Sequence, residues 1–179
     1  TDLPIRGRTA YIFGASQSGR FLRQFLHDGF NADEEDRRAF DLVWPHIAGA
    51  GQGSFNERFA APGYNTFSAT RFPFGDLPQA GPGGARDGIL AAYQPGQTPK
   101  VIYTNTSVEY WGLGRSAALT HMTLDGARDA DVPENVRIYF IPAYEDDADN
   151  VSIDRVTVPR KLLRPGEVVK VTATVSNHA

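Results

Sequence analysis

A turn of small residues, GASQSG at positions 14–19, constrains the fold of this chain more than any other stretch. The run from Thr9 to Phe13 before it is β-branched and aromatic, which is typical of a buried strand. After the turn, apolar residues recur at helical spacing, with charged residues between them, as far as Gly29. These apolar positions are Phe21, Leu22, Phe25 and Leu26. The pattern predicts a strand, a tight turn and a helix in direct succession.

Three further strands are predicted within 40–51, at 100–105 and at 136–141, each separated from the next by a helical or long connection. This alternation indicates an α/β fold, a mostly parallel sheet with flanking helices. A ligand site is expected at the carboxyl ends of such strands. The long segment 51–88 is rich in Gly, Pro and Phe, and we expect it to form a lid or binding loop.

The last part of the chain has a different pattern. After the acidic stretch EDDADN, two segments alternate in period two around RPGE, which predicts an antiparallel hairpin. We therefore divide the chain into an α/β domain at 1–144, an acidic linker at 145–150 and a hairpin at 151–179 that resembles the start of an Ig-like module.

The amino-acid composition excludes several classes of binding partner for this chain. The net charge of -3 provides no basic footprint, so no nucleic-acid partner is expected. No apolar run approaches the roughly 20 residues of a membrane-spanning helix. The chain has no Cys, which excludes disulfides, thiolate metal sites and a cysteine nucleophile. EDDADN lacks the spacing of a calcium loop, so we expect neither a metal nor another cofactor. The absence of Cys does not identify the cellular compartment, and we lean toward an extracytoplasmic location.

Two hypotheses explain the turn at 14–19. In a dinucleotide-binding loop the pattern G-x-G-x-x-G needs a middle glycine for close approach of the pyrophosphate, but Ser16 stands there between Gly14 and Gly19. An acid should also end the next strand, and that strand ends in AGAG. The dinucleotide hypothesis is therefore the weaker one.

In the other hypothesis the turn carries a serine nucleophile. A small-x-Ser-x-small pentapeptide between a strand and a helix matches Gly14 to Ser18, with Ser16 as the nucleophile. The Gln17 N–H would be one donor to an oxyanion at the positive end of the helix. Ser18 is a poorer nucleophile candidate because Arg20 occupies its own +2 position. A structural alternative remains, in which Ser16 only caps the helix.

A serine nucleophile needs an orienting acid and a base, in the chain order Ser, acid, His. Glu109 follows the third strand at the place expected for the acid, although it could equally be a surface carboxylate. Of the four histidines, His27 is expected to be solvated and His46 to be structural, while His178 lies in the tail. His121, in the segment between Glu109 and the fourth strand, is the candidate base.

Three blocks of the chain resemble a bacterial family of α/β-hydrolase domain-containing proteins: YIFGASQSGRFLRQFLHDGFN, FDLVWPHIAGAG and VIYTNTSVEYWG. The resemblance covers Arg6 to Pro142 and corresponds to the carboxyl-terminal half of such a domain. It implies hydrolysis of an ester or related acyl bond in a small molecule, with Ser16 as nucleophile and Glu109 as acid.

Two departures from the family pattern stand out. The earlier strands, with the second oxyanion donor, are not in this sequence. Where the family carries its base in a segment resembling AGTQHG, this chain reads Ile141-Pro142-Ala143-Tyr144-Glu145. The sequence thus predicts either a serine hydrolase of esterase type with an unusual base, or a non-catalytic remnant or fragment of one. We expect a fragment to expose a sheet edge through which it self-associates.

Overall fold

The computed structural model describes residues 9–55, 57–59, 71–111, 116–141, 150–157 and 172–178. The chain divides into two compact units, Thr1–Pro142 and Ala143–Ala179. In the described part of the chain, no helix is both long and apolar enough to cross a membrane.

The first unit alternates strands with helices and long connections, as the sequence predicts. Its elements are β1 (Tyr11–Ala15), α1 (Gln17–His27), β2 (Leu42–His46), β3 (Gln79–Ala80), β4 (Arg86–Asp87), β5 (Lys100–Thr106), α2 (Ser107–Trp111) and β6 (Val136–Ile141). Short 3₁₀ turns lie at Pro82–Gly84 and Ala117–Thr120.

Four of these strands form one parallel sheet in the order β1-β2-β5-β6. The register pairs Ala15 with His46, and His46 with Thr104. All four strands therefore end at the same edge of the sheet, where the segments after β1, β2 and β5 begin. The α/β fold class predicted from the sequence is confirmed.

Helix α1 covers one face of the sheet. Leu22 and Leu26 are at most 2% exposed and pack in a core with Val43, Val101 and Val136. Burying a side chain of this size stabilises the fold by about 1.5–3 kcal/mol, so this contact holds α1 in place.

The opposite face of the sheet is open within the described residues. Because successive side chains of a strand point to opposite faces, the register shows which side chains share this face. Tyr11 and Phe13 of β1 are 67% and 57% exposed, Trp44 of β2 is 37% exposed, and Tyr139 of β6 is 53% exposed. These four aromatic residues form what we call the open sheet face.

The segment between β2 and β5 contributes to the core rather than only to the surface. Ile89, Leu90 and Tyr93 join the cluster under α1. The only regular strands described there are β3 and β4, which pair antiparallel. Residue 56 and residues 60–70 lie outside the described residues, so the predicted lid stays a prediction.

The second unit contains β7 (Asn150–Thr157) and β8 (Thr172–His178), which pair antiparallel with a register shift between Ile153 and Arg155. This is the predicted hairpin, although β7 begins at Asn150, which the sequence places in the linker. The rest of the linker, 145–149, lies outside the described residues. The likeness to an Ig-like module and the domain boundaries remain predictions.

Candidate active site

Ser16 occupies the turn between β1 and α1 in an unusual backbone conformation. Its φ is 54° and its ψ is -115°, a region that costs a non-glycine residue of order 1–3 kcal/mol. The Ser16 N–H donates to the carbonyl of His46 at 2.9 Å, and the Ser16 carbonyl accepts from Arg20 N at 3.0 Å. The end of β2 and the first turn of α1 thus both hold the strained residue.

The small residues on either side of Ser16 allow this tight turn. A Cβ added to Gly14 would lie 2.6 Å from the carbonyl oxygen of Ser18. A Cβ added to Gly19 would lie 2.9 Å from the carbonyl oxygens of both Gly14 and His46. The helix and the strands approach closely only because these side chains are missing. The crowded position after the serine is Gly19, whereas Ser18 is exposed.

The side chain of Ser16 does not cap α1, because its Oγ makes no capping hydrogen bond. The structural alternative of a simple helix cap is therefore not what the geometry shows. Gln17 is the first residue of α1, so its amide lies at the positive end of the helix dipole. That is the position that the sequence assigns to an oxyanion donor.

Glu109 lies in the first turn of α2, three residues beyond the end of β5. The residue is only 6% exposed, which excludes the alternative of a surface carboxylate. Its Oε2 accepts hydrogen bonds from the backbone N–H and the hydroxyl of Thr106. Both bonds end on Oε2, and no hydrogen bond from another described residue to Oε1 is seen.

His121 is held by α2 rather than by Ser16. Its Nε2 is 3.0 Å from the hydroxyl of Tyr110, and the two rings stack with centroids 5.8 Å apart. Its backbone is fixed by bonds to Ala118 and Ala130. Among the described residues, no hydrogen bond joins His121 to Ser16 or Glu109. The structure thus places Ser16, Gln17 and Glu109 after strands that end at one edge of the sheet, and engages His121 elsewhere.

His46 and His27 both have structural partners. His46 Nδ1 is 2.7 Å from the hydroxyl of Thr104, and its ring stacks on Phe13, in agreement with the structural role expected for it. His27 was expected to be solvated, but its Nε2 lies 2.9 Å from Asp87 Oδ2. The sequence did not show this because Asp87 is 60 residues away. The segment after β6, 142–149, where the family pattern has its base, lies outside the described residues.

A buried polar cluster behind the turn was not predicted. Arg20 and Arg23 lie between the apolar positions of α1 in the sequence, yet they are only 6% and 0% exposed. Arg23 Nη2 donates to the carbonyl of Phe74, and its guanidinium lies 4.9 Å from the centre of the Tyr103 ring. The hydroxyl of Tyr103 donates to Asp76 Oδ1 at 2.7 Å. The cluster ties α1 to β5 and to the segment before β3.

Burial changes the titration of this cluster. It raises the pKa of Asp76 to about 6, although the nearby charge of Arg23 and the bond from Tyr103 act in the opposite direction. Burial, together with the charge of Asp76, raises the pKa of Tyr103 well above its usual value. In the described part of the chain, no group of three or more His, Cys, Asp or Glu side chains could hold a metal ion.

A family model described as alpha/beta hydrolase domain matches residues 3–151, which is most of the chain. The chain belongs to this alpha/beta hydrolase family. The match confirms the resemblance to α/β-hydrolase domains seen in the sequence. No curated protein and no solved structure matches the chain. The hydrolase-type fold of this chain is thus established, while its activity, its substrate and its reacting residues are matters of proposal.

Proposed function

We propose that this chain is a serine hydrolase of esterase type that acts on an ester or related acyl bond of a small molecule. The observation that carries the proposal is the backbone of Ser16, a non-glycine residue with a φ of 54° at the start of α1. Strain of this kind is retained where the surrounding structure enforces it, and it is concentrated at functional sites. Here it presents one hydroxyl at the positive end of a helix.

In the proposed reaction, Ser16 Oγ attacks the carbonyl carbon and loses its proton to a base. The carbonyl oxygen becomes an oxyanion, to which the Gln17 N–H donates. Collapse of this intermediate breaks the bond to the alcohol, which leaves with the proton from the base. Water then attacks the acyl-enzyme in the same manner, releasing the acid and restoring Ser16.

Glu109 has the role of the orienting acid in this proposal. Its bonds to Thr106 fix the carboxylate, and Oε1 would accept the N–H of an imidazole. His121 is the candidate base, and it would have to exchange the hydroxyl of Tyr110 for Ser16 Oγ before it could accept the proton.

The same bond of His121 to Tyr110 favours a second candidate, a non-catalytic remnant of a hydrolase domain. In that case Ser16 keeps its backbone geometry but has no base within reach. The dinucleotide-binding hypothesis has no such observation in its favour, and the family assignment leads away from it.

Covalent labelling separates the two candidates. The protein is incubated with a fluorophosphonate probe, and its hydrolysis of short p-nitrophenyl esters is followed. We expect labelling and turnover in the unmodified protein and in Ser18→Ala, and neither in Ser16→Ala, because removal of a triad nucleophile costs several orders of magnitude in rate. Absence of both signals in the unmodified protein would establish the remnant.

The base is tested in the same assay. If His121 accepts the proton, His121→Gln abolishes turnover while Tyr110→Phe, which frees the imidazole, preserves or raises it. Turnover that is unchanged in His121→Gln assigns the base to another residue.

A further inference from the structure

A cavity with a mostly apolar lining lies beside β6. Its volume is about 650 Å³, within the range of sites that hold small organic ligands. Asn105, Tyr110, Trp111, Ala117, His121, Val132, Val136, Arg137, Ile138, Tyr139 and Phe140 line it. Among the described residues, neither Ser16 nor Glu109 lines the cavity, whereas His121, the proposed base, does.

Aromatic rings form much of the wall of this cavity, which we call the β6 cavity. Tyr110 packs edge-on against Trp111, with centroids 4.7 Å apart, and against Phe140, with centroids 5.3 Å apart. Trp111 is nevertheless 80% exposed and Phe140 47% exposed. Rings that pack on one another and keep open faces suit a flat apolar ligand that stacks edge-on or offset against them.

Arg137 supplies the positive charge of the wall, and none of the described lining residues is acidic. Its Nη1 donates to the carbonyls of Glu134 at 2.9 Å and Val136 at 2.7 Å, which holds the guanidinium at the wall. The described residues offer Nε and Nη2 no carboxylate. A guanidinium held in this way is suited to a carboxylate ligand, because charge-assisted bonds of this kind are among the stronger hydrogen bonds in proteins.

We propose that the β6 cavity binds a small aromatic carboxylate, with its ring among Tyr110, Trp111 and Phe140 and its carboxylate on Arg137. The Tyr110–His121 pair supplies a second polar group in the wall. Binding in this cavity does not require Ser16 or Glu109 to react, although His121, the proposed base, lies in the same wall.

Binding of 2-naphthoate, measured by calorimetry, tests this proposal, with 2-naphthylmethanol as the uncharged probe of the same shape. We expect the unmodified protein to bind the acid about tenfold more tightly than the alcohol, because only the acid makes a charge-assisted hydrogen bond to Arg137. Arg137→Gln should remove that preference. Val132→Trp, which fills the cavity from an exposed position of its wall, should abolish binding of both probes.

Arg128→Gln is the matched control, because Arg128 is exposed and does not line the cavity. It should bind 2-naphthoate like the unmodified protein. The proposal is overturned if the unmodified protein binds no 2-naphthoate, if the alcohol binds as tightly as the acid, or if Val132→Trp binds as before. Binding that survives Val132→Trp but is lost in Phe13→Lys would place the probe on the open sheet face and also overturn it.

Discussion

At the scale of single residues, the turn depends on two missing side chains. Gly14 and Gly19 leave room for backbone oxygens that a Cβ would meet at under 3.0 Å. Neither glycine has a positive φ, so close approach rather than conformational freedom explains their presence. Ser16 itself holds the strained conformation, with its amide bound to β2.

Substitution of Gly19 by alanine should therefore loosen the junction of α1 with β1 and β2. The added Cβ meets two backbone carbonyls and Ala48 Cβ, and overpacking of this kind typically costs 1–3 kcal/mol, against a gain in helix propensity of about 1 kcal/mol. We expect a net loss of about 1 kcal/mol in the free energy of unfolding, measured by urea denaturation. Ser18→Ala, one residue earlier and exposed, should be neutral or stabilising. Equal stability of both variants would show that the junction has room to spare.

At the scale of elements, the cluster of Arg23, Asp76 and Tyr103 joins α1, β5 and the segment before β3. Burial raises the pKa of the Asp76 carboxyl group from 3.8 to about 6. Because native Asp76 keeps its proton up to about pH 6 while the unfolded chain releases it near 3.8, the native state binds more protons between these values. The contribution of Asp76 to stability is therefore greatest at low pH and decreases as pH rises from about 4 to 6.

Asp76→Asn should remove that decrease. The difference in the free energy of unfolding between the unmodified protein and Asp76→Asn should change by about 2 kcal/mol between pH 4 and pH 7, to the disadvantage of the unmodified protein. Measuring the difference cancels the contribution of the exposed carboxylates. The same comparison with Asp131→Asn, an exposed carboxylate, should show no such change. A pH-independent difference would mean that folding leaves the pKa of Asp76 unchanged.

Some elements have a clear local pattern in the sequence, and others have none. The strands were predicted because apolar runs such as YIF and VIY are local, and the serine turn because its residues are contiguous. The buried cluster was missed because Arg23 meets Phe74 across 51 residues, and helical spacing alone does not show that a distant segment will cover a charged side chain. His27 and Asp87 escaped prediction for the same reason.

The residues of the candidate site differ in the same way, because some follow from local sequence and others from long-range contacts. Positions fixed by one strand end, Ser16, Gln17 and Glu109, could be named from the sequence. For the base the sequence offers only the candidate His121, because its approach to Ser16 depends on how the segment that carries it folds over the sheet edge. The bond of His121 to Tyr110 is such a contact, between α2 and the turn after Ala117–Thr120.

At the scale of the whole molecule, the first unit has helix α1 on one side of its sheet and the open sheet face on the other. Parallel sheets are normally covered on both faces, and large exposed apolar patches favour association. We propose that the isolated chain self-associates through this face and the adjoining edge of β1.

Sedimentation velocity at several concentrations measures this association. We expect the unmodified protein to shift to faster sedimentation as its concentration rises, and Phe13→Lys to shift less, because the charge would have to be buried in the contact. Leu124→Lys, at an exposed position away from the sheet, should behave like the unmodified protein. A single slow species at all concentrations would contradict the proposal.

The bond from the Ser16 amide to the His46 carbonyl has a consequence for measurement. One proton, on the residue proposed to attack the substrate, is sealed against solvent for as long as the end of β2 stays in place. Its exchange with deuterium requires the strained turn to open. The exchange rate of this single amide therefore measures how often the turn opens, and it can be measured without any substrate.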